Sequence, residues 1–260
     1  MMPVPSSTSS SRPANRFDRL DALRGVAILW MAGFHFSFDL NHYGLLTPVQ
    51  HFLSDPFWTL QRTGIVSLFL LCAGLGQAVA LEVGQGWRRF WRRWAQVAGC
   101  AVLVSAGSAM MFPQSWISFG VLHGIAAMLL FTRLAVPALQ RATGAAAVPL
   151  LFVLGGLAWF APVWLQHPFF NSRWWNWTGL VTRLPYTEDY VPVLPWLGVM
   201  LAGVALGLLL LRHRRGWLAG PVPGVLQPLA RLGRWSLTFY MLHQPVLIGG
   251  LLAWLAFVRV

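Results

Sequence analysis

Three histidines and one aspartate stand inside apolar sequence, where proton-transfer chemistry is the natural use for them. His35 and Asp39 are four residues apart in LRGVAILWMAGFHFSFDLNHYG, residues 23–44. Residues at that spacing share one helical face. A carboxylate there can orient an imidazole, raise its basicity and leave the second ring nitrogen free to take a proton. His123 lies in ISFGVLHGIAAMLL and His243 in WSLTFYMLHQPVLIGG. His35, Asp39, His243 and His123 are therefore the candidate catalytic residues. Each single histidine has a plainer use, a hydrogen bond to a neighbouring helix. An ionisable group in a bilayer costs ~2.5–3.5 kcal/mol on insertion scales, and such groups usually face a bundle interior or a wet cavity.

A second group is cationic. Arg88, Arg89, Arg92 and Arg93 cluster in GWRRFWRRWAQVAG. At spacings of three and four, guanidinium forks can meet phosphate oxygens, which suits a nucleotide-bearing donor arriving from the cytosol. Anchoring at the membrane surface is the plainer explanation. No GxxxxGK[ST] or GxGxxG run is present, so neither a P-loop nor a dinucleotide fold is indicated. Arg24, Arg62, Trp58 and Trp196 are the candidate substrate contacts. Arg62 and Asp55 flank one end of an apolar run, where they would ion-pair or Arg62 would hold an anionic group. Gly198, Gly203 and Gly207 thin the run PVLPWLGVMLAGVALG. Small residues serve close helix packing or close approach of a ligand.

Membrane helices must position these groups. Of the 260 residues, 57% are hydrophobic and 10% charged, against ~25% charged in a soluble domain. Apolar runs fall at 22–41, 63–83, 94–112, 117–136, 145–165, 192–211 and 235–257. Each approaches the ~20 residues that cross a bilayer. The expected fold class is all-α, a polytopic integral membrane bundle of about seven transmembrane helices spanning 19–260. A disordered cytoplasmic tail is expected at 1–18, where Ser and Pro abound without apolar periodicity. It has no apolar core of a cleavable signal.

All nineteen basic residues are Arg. Seven spans place fifteen of them on one side, and Arg62, Arg173, Arg183 and Arg259 on the other. Basic residues gather in cytoplasmic loops, so the N-terminus should be inside and the C-terminus outside. The net charge of +12 then reflects topology and anionic lipid headgroups rather than nucleic acid. Cys72 and Cys100 fall inside apolar runs and form no metal or disulfide pattern. By helical rise, His35 sits ~16 Å and His243 ~14 Å from the inner boundary, and His123 ~9 Å from the outer one. The depths permit a shared cavity. The loop 166–191 should lie outside, as a lid, an acceptor surface or a passive interfacial segment.

The segments RLDALRGVAILWMAGFHFSFDLNHYG, FWTLQRTGIVSLFLLCAGLGQAVA, WRRFWRRWAQVAG, ISFGVLHGIA, VLPWLGVMLAGVALG and LARLGRWSLTFYMLHQPVLIG together resemble a bacterial family of unknown function. That family is grouped with the catalytic domain of heparan-α-glucosaminide N-acetyltransferase. A more distant likeness runs to the integral-membrane acyltransferase 3 family. It is carried by Asp21, Arg24 and His35, by Arg88, Arg89 and Arg92, and by Gly233, Arg234, Ser236 and His243. The resemblance implies a multi-pass enzyme of the bacterial inner membrane. It would move an acyl group, usually acetyl, from cytosolic acyl-CoA to a hydroxyl or amine of an extracytoplasmic sugar or glycan. Acetyl-CoA or another acyl-CoA would be the donor, and no metal is implied.

By that analogy His35 is the general base or a transient acyl carrier, and the Arg cluster faces CoA phosphates. The lysosomal enzyme's key histidine lies in its first lumenal loop, which corresponds here to His42 or His51, so the choice among the three stays open. A proton-coupled transporter or flippase is the alternative from another class, and a non-catalytic scaffold is a third. The oligomeric state, including a homo-oligomer, is left open.

Overall fold

The computed structural model describes residues 17–258. Most of the expected tail, with Arg12 and Arg16, lies outside these residues, as does Arg259. The described residues fold into nine α-helices: α1 (Asp18–His42), α2 (Pro56–Glu82), α3 (Trp87–Met111), α4 (Val121–Thr143), α5 (Ala147–Trp164), α6 (Val193–His213), α7 (Gly216–Ala219), α8 (Gln227–Arg234) and α9 (Ser236–Val258). Each of the seven apolar runs falls on one of the seven long helices. The short α7 and α8 fill the connection before α9.

Five stretches are long and apolar enough to cross a membrane by length and composition. One of them is the 44-residue stretch Val121–Trp164, which holds both α4 and α5. A single 3₁₀ turn at Gly144–Ala146 joins these two helices, so hydropathy sees no break. Helix α1 is outside the five: Asp18, Arg19, Asp21 and Arg24 charge its first half, and His35, Asp39, Asn41 and His42 dilute its second.

Local signals set several helix ends. Asp55 caps α2, its Oδ1 accepting the Phe57 N–H at 2.7 Å, with Pro56 in the first helical position. This is the group expected to pair with Arg62, and no such ion pair forms. Helix α2 closes on Gly84, whose φ of +61° is the left-handed geometry that favours glycine.

The core lies where α2, α3, α4 and α6 meet, around Leu70, Met128 and Met200, all fully buried. Small residues make the packing close. A Cβ at Gly74 would lie 2.3 Å from the Met200 carbonyl oxygen, and one at Gly203 would lie 2.7 Å from that of Leu71. One at Gly198 would lie 2.5 Å from the Gly155 carbonyl. The glycines of α6 therefore serve helix packing, the first of their two expected uses. The outer surface stays apolar, as at Leu103, Val163 and Leu252.

The two sequence motifs at the chain's ends join to make one structural device. Helix α8 packs on α1 so tightly that a Cβ at Gly233 would sit 1.8 Å from the Asp21 carbonyl oxygen. Arg234 reaches Asp18 at 3.3 Å, and Asp21 bonds Arg24 at 2.9 Å. Replacing Gly233 with Ala should therefore lower stability by ~1–3 kcal/mol through overpacking. A thermal melt in detergent checks this, and an unshifted midpoint would refute it.

Candidate functional site

Helices α1 and α9 bring His35 and His243 together. His35 Nδ1 and His243 Nε2 are 2.7 Å apart. The ring planes differ by 17°. His243 Nδ1 lies 2.7 Å from the Tyr240 carbonyl oxygen. Their partners fix the protons. A carbonyl oxygen only accepts, so His243 Nδ1 carries a hydrogen and, in a neutral ring, its Nε2 is the lone-pair atom. His35 Nδ1–H must then donate to that lone pair. The sum is a chain, from His35 through His243 to a backbone oxygen, that leaves His35 Nε2 unprotonated. That nitrogen has no hydrogen-bond partner among the described residues. A base of this form is ready to take a proton.

Asp39 is not the group that orients His35, contrary to its i+4 spacing. It is buried, and both its oxygens accept from Gln244 Nε2, at 2.8 and 3.0 Å. The adjacent His243 and Gln244 of α9 thus receive His35 and Asp39 of α1 one apiece. The i+4 rule puts His35 and Asp39 on one face. It does not say which of them the facing helix will bond. Gln244 Oε1 is buried with no hydrogen-bond partner among the described residues.

A cavity of about 240 Å³ opens between α1, α2, α3, α4 and α9. Arg24 and Arg93 line it, as do Gln77, Cys72, Ser236 and Tyr240. Gly76 gives Arg24 its place, since a Cβ there would lie 2.6 Å from Nη2. The Arg93 guanidinium has no hydrogen bond or ion pair among the described residues. Arg88, Arg89 and Arg92 are exposed and outside the lining, so one residue of the predicted cluster reaches the cavity.

Tyr240 stands at the inner wall, with its ring centroid 5.8 Å from that of His243. Its hydroxyl has no hydrogen-bond partner among the described residues. Sequence reasoning did not single it out. The available signal was its position three residues before His243, on the same helical face.

The remaining candidates scatter. His123 is held at the start of α4. The Gly120 N–H donates to its Nδ1 at 3.3 Å, and its Nε2 lies 3.2 Å from Ser105 Oγ. With Nδ1 accepting, Nε2 carries the hydrogen, and both nitrogens are occupied. His123→Ala should cost ~0.5–2 kcal/mol by loss of this cap. Activity per folded molecule should hold, and an inactive but fully folded variant would contradict the capping role.

Asp189 secures the same helix end, accepting the Val121 N–H at 2.7 Å. Burial pushes its carboxyl above the usual range, against the pull of that bond and of the Arg62 charge. Arg62 forms no ion pair with Asp189 or with Asp55. Trp58 stacks on Phe52 with centroids 4.0 Å apart, beside Phe34, and Trp196 packs edge-on to Trp159. Neither Trp lines the cavity. His42 and His51 are exposed in and after the end of α1. Among the described residues His, Cys, Asp and Glu make no group of three that would hold a metal.

The family described as heparan-alpha-glucosaminide N-acetyltransferase, catalytic, matches residues 16–245. The chain belongs to this family. The match spans α1 to α8 whole and α9 as far as Pro245, so it includes Arg24, His35, Asp39, Arg93, Tyr240, His243 and Gln244. Family membership makes the chain a membrane transferase. No curated protein and no solved structure matches it.

Proposed function

We propose that this chain is an acetyl-CoA-dependent acyltransferase of the bacterial inner membrane, acting on a hydroxyl or amine of an extracytoplasmic sugar. The observation that carries the reading is the cavity that begins at Arg24 and Arg93 and ends at Tyr240, one helical turn from the His243–His35 pair. In this proposal seven helices span the membrane, with the N-terminus and the Arg-rich loops in the cytosol. Arg24 and Arg93 then stand at the cytosolic mouth. Their guanidinium groups suit the phosphates of CoA, and the apolar wall formed by Phe69, Val97 and Leu122 suits its pantetheine arm.

The chemistry follows from the tautomer chain. The acceptor O–H or N–H gives its proton to His35 Nε2 as its O or N attacks the thioester carbonyl carbon. The resulting imidazolium keeps its Nδ1–H on His243, which spreads the charge. The Tyr240 hydroxyl donates to the tetrahedral oxyanion. Collapse forms the ester or amide, breaks the C–S bond and expels CoA thiolate, which takes the proton from His35. Asp39 and Gln244 hold α1 and α9 in register for these steps.

The test is reconstitution. Purified protein in vesicles, given labelled acetyl-CoA on the Arg-rich side and glucosamine on the other, should release CoA thiol and label the sugar. Sugar uptake that follows a proton gradient and needs no CoA would favour a transporter instead. Substituting Arg93 with Gln should raise KM for acetyl-CoA about tenfold with kcat little changed, the mark of lost uniform binding. An unaltered KM would remove Arg93 from the donor site.

A further inference from the structure

A second cavity, of about 270 Å³, lies in the loops before α4 and α6, lined by Gln114, Ser118, Arg173, Asn176, Tyr186 and Thr187 among others. It is separate from the Arg24–Tyr240 cavity and shares no residue with it. The loops that build it are firmly joined. Ser115 Oγ donates to Glu188, the Glu188 N–H bonds the Ser115 carbonyl at 2.9 Å, and Thr187 Oγ1 donates to the Trp116 carbonyl at 3.0 Å. The Tyr190 hydroxyl donates to the Asn176 carbonyl at 2.7 Å. Burial also lifts the Tyr190 phenol above its usual range, so it stays a donor.

Asn176 is the telling residue. It is 3% exposed, lines this cavity, and its Oδ1 has no hydrogen-bond partner among the described residues. A buried carbonyl left unpaired costs ~1–3 kcal/mol. Such a group calls for a donor from a ligand or solvent. Around it, the Gln114, Ser118, Arg173 and Tyr186 side chains make no hydrogen bond among the described residues. The Arg173 guanidinium lies over the Trp116 ring, 4.7 Å from its centroid.

The chemistry of the ligand follows from this lining. It mixes neutral donors and acceptors and contains no carboxylate, so a cation has no partner. Its one cation, Arg173, lies over the Trp116 ring, and a single guanidinium among neutral groups leaves a multiply charged anion short of partners. A volume below the ~300 Å³ at which drug-sized sites begin suits one small, many-hydroxyl molecule. We infer that this cavity is a saccharide subsite, which holds one sugar ring through Gln114, Ser118, Arg173 and the unpaired Asn176 amide. The inference rests on the proposed transferase reading for the ligand's role as part of the acceptor, but not for its binding.

The test uses the full chain in nanodiscs, with glucosamine, N-acetylglucosamine and glucose as probes in saturation-transfer NMR and calorimetry. At least one sugar should bind saturably. The Gln114→Ala/Arg173→Ala double variant should weaken it at least tenfold, and Ser118→Trp, which fills the cavity, should do the same. Melting temperatures confirm that the variants fold. His35→Ala should bind the sugar as the parent does. Failure of acetyl transfer with this pattern intact would sink the proposed activity and leave the subsite standing. Binding unchanged in both cavity variants, no saturable binding of any of the three sugars, or binding of sulfate alone would overturn it.

Discussion

Replacing His35 with Ala should lower kcat for acetyl transfer by ~10²–10⁴, the range expected for a lost general base. KM for acetyl-CoA should hold, because the donor's cationic contacts lie at the far end of the cavity. The fold should persist, since the buried packing of α1 centres on Ala27, Ile28 and Met31 rather than on His35. His243→Ala should behave differently. It leaves the His35 Nε2 in place but removes the acceptor that holds Nδ1–H, so the base is present in the wrong tautomer part of the time. Gln at position 243 offers an acceptor again and should restore part of the loss. Steady-state rates for the three variants check this. Full activity in His35→Ala would end its role as base, and a His243→Gln no better than His243→Ala would end the tautomer argument.

The second large effect belongs to Tyr240. Its hydroxyl is the unpartnered donor on the cavity wall nearest the histidine pair. Tyr240→Phe removes one oxygen and little packing, so kcat should fall by ~10²–10³, as for a lost oxyanion donor. Its stability cost should be small, because no protein acceptor is left unpaired. The tautomer chain should survive, since His243 bonds the Tyr240 backbone oxygen, which Phe also carries. Single-turnover measurement of CoA thiol release separates this from slower product release. An unchanged chemical step would assign the oxyanion to another group.

Much of the fold was legible because its signals are local. Apolar runs of membrane length marked all seven long helices, though the second run, begun at residue 63, missed the Asp55-Pro56 start of α2. Asp21, Arg24, Gly233 and Arg234 entered only through a family likeness, and their spacing could not say that Gly233 would dock on the Asp21 backbone. The site was legible by residue type and not by pairing. Helical period puts His35 and Asp39 on one face. The choice of His243 for one and Gln244 for the other is set by how α9 lies against α1, across a separation of 208 residues for the His pair.

The same limit applies to the four arginines of α3. They are alike in sequence, and only the rotation of the helix brings Arg93 to the cavity while Arg88, Arg89 and Arg92 face outward. Asp189 sat in view as one acid of a long loop. Its use as the cap of α4 depends on a contact between two loops far apart in the chain.

The measurement that tests the central claim most directly is an experimental structure of the full chain with a non-hydrolysable acetyl-CoA analogue. The account predicts density along the Arg24–Tyr240 cavity, with phosphate groups at Arg24 and Arg93 and the thioester carbonyl within hydrogen-bond reach of the Tyr240 hydroxyl. Density for the analogue in any other place, with this cavity empty or filled by lipid, would contradict it.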